Sequence, residues 1–289
     1  MDDNAYKMCS MFKSKEPFLI GRNGSTELEV LAYVLKNGND CIFPEGLMKR
    51  LELYSGIFPA TQESVSLWVK TYKKSLKSCD MIAEGWYEPL ENEEKYILDS
   101  IIPERQKIML RNLEPYYAKS HLRWSAFLAK KTVAIINSFA HTCEEQTYLS
   151  KAIWPEYTES LLPTSTKWVP IQTYFPPNIA GTNSEASWEV ENWFQAVEEI
   201  VKQIEEERYH IDIAIIGCGA LGMIIASRLK EMGIQCIVMG GALQILFGVK
   251  GKRWETHSVI SKFFNDAWVY PPNTCKPNGF KKIEGGCYW

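Results

Sequence analysis

Three glycines, Gly217, Gly219 and Gly222, stand in the spacing Gly-x-Gly-x-x-Gly directly after the apolar run IDIAII that begins at Ile211. A β-strand feeding such a turn brings bare backbone close to a ligand and aims a helix N-terminus at it, which suits a diphosphate. The next strand-like run, IVM from Ile237, also ends on glycines, Gly240 and Gly241. Gln244, Lys250, Lys252 and Arg253 follow within the same stretch, IVMGGALQILFGVKGKRW. Two glycine-rich strand ends with cations behind the second predict a site for a phosphorylated ligand. The plainer alternatives are tight turns at both glycine clusters and a solvated basic turn at 250–253.

A dinucleotide fingerprint would also place an acidic residue about 20 positions further on, at the end of the next strand, to hold the ribose hydroxyls. Here that strand is QCIVMGGA, and its end carries Met239 and Gly240. NAD or FAD is therefore not expected, and an NAD(P)-dependent oxidoreductase is a less favoured alternative.

These turns must be positioned by a scaffold, and the pattern of the chain predicts one. The run FLI from Phe18 reads as a short strand ending at GRNGS, with Ser25 as the N-cap of a helix. Gln62–Leu76 reads as an amphipathic helix, 80–86 as a strand ending in Gly-Trp, and 91–102 as a helix stopped by Pro103. TVAIINSF from Thr132 is a β-branched strand whose helix begins near His141. TKWVPIQTYFPP is an extended piece closed by Pro176 and Pro177. A long helix is expected over 185–206, where the apolar positions Val190, Trp193, Phe194, Val197, Ile200, Val201 and Ile204 fit the helical period. Strands alternating with helices imply βαβ units. The expected fold is α/β, a Rossmann-like parallel sheet with helices on both faces, spanning 1–289 as a single domain. Such sheets bind ligands at the carboxyl ends of their strands. The stretches 21–27, 137–139, 217–222 and 240 onward, with Trp86, all follow strands at such ends. The segment 161–187, rich in Pro, Ser, Thr and Asn, reads as a long loop.

A net charge of −3 over 289 residues argues against nucleic-acid binding and a polybasic membrane anchor. Hydrophobic residues make up 46% of the chain, enough for a buried core. The eight cysteines are scattered without a Cys-x-x-Cys pair, and the histidines do not cluster. A zinc site is not expected, and the thiols fit a reducing compartment. The start, MDDNAYKMCSMFKSKE, is not a signal peptide, and no apolar run approaches membrane-spanning length. A cytoplasmic protein is expected.

The stretches DIAIIGCGALG, VMGGALQILFGVKGKRW and the terminal KKIEGGCYW resemble the C-terminal part of the GT-D-type glycosyltransferases. That family was first described as a domain of unknown function and is found in bacterial surface-glycan biosynthesis. GRNGSTEL falls where the family has an Arg-x-Gly-Asp-Gly-Glu segment at the end of its first strand. The resemblance implies a GT-D-type glycosyltransferase fold and sugar transfer from a nucleotide sugar such as UDP-glucose. It also implies a divalent metal on an Asp-x-Glu pair. Arg22, Gly24 and Glu27 match that segment, whereas Ser25 replaces the Asp and Thr26 the intervening Gly. One carboxylate and a hydroxyl hold Mg²⁺ or Mn²⁺ poorly, so either Glu27 binds the metal with help from Asp80 or Glu84, or cations neutralise the leaving diphosphate.

On this resemblance, the turn at Gly217, Gly219 and Gly222 cradles phosphate. Lys250, Lys252 and Arg253 supply charge to the β-phosphate, with Arg22 as a second source. Gln244 offers its amide to a base, ribose or sugar. Glu27 is the first candidate for general base or metal ligand, and Asp80 the reserve. Against these stand an Arg22 salt bridge to Glu27 or Glu29, a structural cap at Asp80, and core roles for Phe139, Trp86 and Trp254. The expected partners are a nucleotide-sugar donor and a glycan, lipid-linked sugar or glycoprotein acceptor. The alternative is a non-catalytic nucleotide or sugar-phosphate binding protein, favoured by Ser25.

Overall fold

The computed structural model describes residues 2–207 and 210–289. Its centre is one seven-stranded sheet in which every pairing is parallel. The strands are β1 (Leu19–Arg22), β2 (Met81–Ala83), β3 (Gln106–Ile108), β4 (Thr132–Asn137), β5 (Lys167–Gln172), β6 (Ile213–Gly217) and β7 (Gln235–Val238), in the spatial order β3-β2-β1-β7-β6-β4-β5. The middle strands are near-continuous apolar runs because both their faces are covered. Alternate residues enter different cores: Ala134 and Ile136 of β4 pack on one face, Val133 and Ile135 on the other.

The longer helices are α1 (Asp2–Ser14), α2 (Ser25–Asn37), α3 (Glu45–Ser55), α4 (Gln62–Leu76), α5 (Glu91–Ile101), α6 (Ala140–Thr147), α7 (Trp193–Glu206) and α8 (Gly222–Glu231). Helix α4 starts where the Thr61 hydroxyl accepts the Ser64 N–H at 3.2 Å. It buries Val65, Trp68, Val69, Tyr72 and Leu76 along one stripe. None of the helices is long and apolar enough to cross a membrane, among the described residues.

The structure corrects several boundaries. Ser25 is not the cap of α2 but its first residue. Gly24 is the cap, and the Glu27 side chain folds back over it where a Cβ would sit. The long helix begins at Trp193 rather than 185, because Asn192 caps it, accepting the Gln195 N–H at 3.0 Å. The residues before it pair instead with the chain after β5: Phe175 donates to the Ala186 carbonyl at 2.8 Å and Trp188 to that of Phe175 at 3.0 Å. Strand β2 is shorter than its sequence suggests, since Gly85 turns away with φ of 72°. The segment 161–187 is not all loop, for β5 lies within it.

Candidate functional site

A cavity opens above the carboxyl ends of β1, β7, β6, β4 and β5, where the strand order reverses. Strand β1 and the start of α2 contribute Arg22, Gly24 and Glu27, and β6 contributes Gly217 and Gly219. Gly240, Gly241 and Gln244 come from the turn after β7. Asn137 and Phe139 border it from β4, Thr173 and Tyr174 from beyond β5, and Tyr54 and Ser55 from the end of α3. The stretches read as strand ends thus meet at one place.

The glycine turn is fixed by close packing. A Cβ on Gly217 would lie 2.6 Å from the Gly240 carbonyl oxygen, so the two glycine turns touch through their backbones. Asn137 ties them to β4, donating its amide to the Gly217 carbonyl at 2.6 Å and accepting the Phe139 N–H at 2.8 Å. Gly219 has φ of 59°, and a Cβ there would lie 2.7 Å from the Ser55 carbonyl oxygen. Gly222 does not line the cavity. It lets α8 sit against β7, with Val238 Cγ1 3.1 Å from where its Cβ would be. A backbone turn leading into a ten-residue helix presents N–H groups and a favourable dipole to an anion.

Arg22 lines the same cavity, its guanidinium carbon 3.4 Å from where a Cβ on Gly240 would lie. Its guanidinium stacks on Trp86, 4.3 Å from the ring centroid, and Nε donates to the Asn23 carbonyl at 3.2 Å. Among the described residues, its terminal nitrogens meet no carboxylate or carbonyl within bonding distance. The backbone beneath it is held by a buried network. Asn23 donates to Glu94 at 2.8 Å and accepts from Tyr72 at 2.9 Å, and Glu94 takes the Gly85 N–H at 2.8 Å. Burial pushes the Glu94 carboxyl up, opposed by its hydrogen bonds from Asn23 and Gly85.

Glu27 is buried, 5% exposed, and accepts the Ser55 hydroxyl at 3.2 Å. Burial raises its pKa, against the pull of its own backbone N–H, Arg22 and Ser55, while Glu284 pushes it further up. Glu114, after β3, is also raised by burial, to about 7, opposed by Arg22 and Arg111.

The fourth wall comes from the end of the chain: Ile283, Glu284, Tyr288 and Trp289. The Tyr288 ring lies against Gly241, within 2.5 Å of where its Cβ would be. Burial lifts the Tyr288 phenol to about 12. Trp289 packs between Phe139, Phe175 and Phe280, and its indole N–H has no partner among the described residues. The sequence alone assigned no site role to this tail. The signal for more was Glu284 set directly before two glycines.

Several candidates lie elsewhere or are already occupied. Asp80 precedes β2 at the amino end of the sheet, opposite the cavity. It accepts the Leu19 N–H at 2.8 Å and Lys230 at 2.7 Å, which makes it a structural brace. Gln244 borders the cavity, but its amide is spent on the carbonyls of Lys250, at 2.7 Å, and Tyr288, at 3.3 Å. Lys250 sits 5.6 Å from the rings of Phe264 and Tyr270, and Lys252 is exposed; neither lines the cavity. Arg253 stands behind the wall, paired with Glu284 and stacked 4.4 Å from the Tyr288 ring centroid. Arg22, not this cluster, is the cation that lines the cavity. Nor does a divalent metal fit well. Glu84 is taken by Arg105 and Lys107, Glu284 by Arg253, and no three His, Cys, Asp or Glu side chains converge among the described residues. What remains is the buried Glu27 carboxylate, the second oxygen of Glu284 and hydroxyls, short of the anionic oxygens such ions require.

No protein-family model matches the chain, and no curated protein matches it. Two solved structures of the domain of unknown function 1792 do match, each over 82% of this chain and 82% of its own. One, a selenomethionine-substituted structure, gives a TM-score of 0.40 at 12% identity. The other, described as having a distinct glycosyltransferase fold, gives 0.39 at 13% identity.

Proposed function

We propose that the cavity is the donor site of a glycosyltransferase that moves a sugar from a nucleoside-diphosphate sugar, UDP-sugars favoured, to a hydroxyl of a glycan or glycoconjugate. The observation that carries this reading is an unpaired, stacked Arg22 that lies beside Gly240 and shares one cavity with the Gly217–Gly219 backbone turn and a carboxylate. In this reading the diphosphate lies between the turn and the guanidinium, which stabilise the charge that develops as the glycosidic oxygen leaves. Stacking on Trp86 and the Asn23 carbonyl set the direction of that guanidinium before any ligand arrives. Glu27 lies at the sugar end and holds sugar hydroxyls, accepting or donating as its raised pKa allows. Cationic rather than metal neutralisation of the diphosphate is part of the proposal.

A thermal-shift panel of UDP, GDP, CDP, their sugar conjugates and NAD, with and without Mn²⁺, tests the reading, since a ligand that binds only the native state raises the melting temperature. Stabilisation by one nucleoside diphosphate, with transfer lost and binding kept in Glu27→Gln, supports it. Silence, or a response to NAD alone, sinks it. Ser25 and the single buried carboxylate favour a second reading, a nucleotide or sugar-phosphate binding protein without turnover; donor binding by a wild type that never releases nucleoside diphosphate would favour it.

A further inference from the structure

We propose that Glu284 is a second catalytic carboxylate of this cavity and takes the proton of the attacking hydroxyl. The proposal rests on the glycosyl-transfer reading above.

Glu284 lines the cavity, and its side chain is 37% exposed, so it is open to solvent where Glu27 is buried. One of its oxygens is anchored. Oε2 pairs with Arg253 and lies 3.3 Å from Cys287 Sγ, and Arg253 is itself braced by stacking on Tyr288. The other oxygen, Oε1, receives no hydrogen bond from any described residue. A carboxylate held by one oxygen and open at the other has the geometry a general base needs.

The backbone points the same way. Glu284 has φ of 45°, and Gly285 and Gly286 follow at 70° and 76°. Glycine occupies this left-handed region without strain, whereas a residue with a side chain does not. The chain nevertheless carries a glutamate at the first of three such positions. Strained residues of this kind cluster at active sites. Glu27 lies within electrostatic reach of Glu284 in a very different setting: folded over Gly24, bonded to Ser55 and desolvated. Two carboxylates in contrasting environments divide acid and base roles.

In the step, the acceptor O–H proton passes to Glu284 Oε1 as the acceptor oxygen bonds to the anomeric carbon. The bond from that carbon to the diphosphate oxygen breaks, and its electron pair leaves with the diphosphate toward Arg22 and the glycine turn. Solvent then takes the proton from Glu284. A single displacement of this kind inverts the anomeric centre.

The test uses the full chain and the nucleoside-diphosphate sugar that most stabilises the wild type. Turnover is read as release of nucleoside diphosphate, with water or an octyl glycoside as acceptor. In Glu284→Gln, kcat is expected to fall by about 10²–10⁴-fold, with donor affinity within about twofold of wild type. The limb of the kcat/KM profile that declines on acidification should disappear. The groups facing Glu284, namely Arg253, Cys287, Tyr288 and Glu27, are unchanged in this variant. Glu284→Gly relaxes the left-handed backbone, so it should keep a melting temperature within about 2 °C of wild type and still lose turnover; a purely structural glutamate would show the opposite. Unchanged kcat, an acid limb that persists, a retained anomer, or rescue of Glu284→Gln by excess Mn²⁺ would each overturn the proposal while leaving the donor site in place. A wild type that binds no donor overturns both.

Discussion

Replacing Arg22 with Met tests the proposed diphosphate site at the one cation that lines the cavity among the described residues. The guanidinium stacks on Trp86 at 4.3 Å and gives Nε to the Asn23 carbonyl at 3.2 Å, but holds no ion pair among the described residues. Its removal therefore strips no carboxylate of a bonded partner. The fold should lose a cation–π contact of about 0.5–2 kcal/mol and a hydrogen bond of about 1 kcal/mol, while Met keeps an apolar contact with the indole. That sum lowers the melting temperature by about 3–8 °C without unfolding the protein. Binding should suffer more selectively. One charge-assisted hydrogen bond to phosphate is worth about 1.5–3 kcal/mol, so UDP should bind about 10- to 150-fold more weakly. Uridine, which has no phosphate, should bind as before. Arg22→Lys should fall between, because it keeps a charge and loses the stacked planar fork. Calorimetric titration of UDP and uridine into both variants at low and high salt measures this. A UDP loss below about threefold, or an equal loss for uridine, refutes the assignment.

Three further outcomes are expected. Gly219→Ala places a side chain at φ of 59° with its Cβ 2.7 Å from the Ser55 carbonyl; stability should fall by about 1–3 kcal/mol, and a thermal melt that matches wild type contradicts the packing. Asp80→Ala frees the Leu19 N–H and Lys230 at the far edge of the sheet; denaturant titration should show a loss of about 1–2 kcal/mol for this half-exposed pair, with UDP affinity unchanged. Glu114 has a native pKa near 7 against a reference of 4.5, so the folded state binds its proton more tightly and wild-type stability falls as pH rises through that window. Glu114→Gln should match wild type near pH 4, gain progressively above it, and hold a gain of at most about 3 kcal/mol above pH 7; denaturant midpoints across the range check the sign.

What the sequence made legible was local. Helix α4 follows from the spacing of Val65, Trp68, Val69, Tyr72 and Leu76 after Thr61, and β4 and β6 from β-branched runs that only a doubly covered strand explains. Strand β3 escaped because its first two residues, Gln106 and Lys107, are exposed at the sheet edge and carry no alternation. Helix α3 escaped because it is short and has Gly46 in its first turn, although Leu47, Met48 and Leu51 do face the core. The state of Arg22 was hidden for a different reason. Along the chain, Glu27 and Glu29 are the first acids after it, yet Glu29 is taken by Arg50 of α3 at 2.9 Å and Glu27 by Ser55 at the end of the same helix. The helix that was not foreseen is the one that leaves the guanidinium free. Gln244 fails in the opposite sense, since its amide is consumed by carbonyls of its own following turn, Val249 and Lys250, and by Tyr288 from the distant end of the chain.

The two halves of the cavity are built by different means, and this bears on how such a site could change. The Gly217, Gly219 and Gly240 side is backbone, locked by contacts that leave no room for a Cβ at Gly217 and Gly219, by a φ of 67° at Gly240, and by Asn137. Side-chain substitution there costs the fold before it alters recognition. The opposite wall is a tail of side chains, Glu284, Tyr288 and Trp289, attached by Arg253, Gln244 and ring contacts rather than by strand pairing. Its left-handed run at 284–286 fixes where the carboxylate projects without engaging the sheet. On the proposed reading, changes in this tail should therefore shift turnover and acceptor choice while the glycine-turn half, and the stability that goes with it, stays as it is.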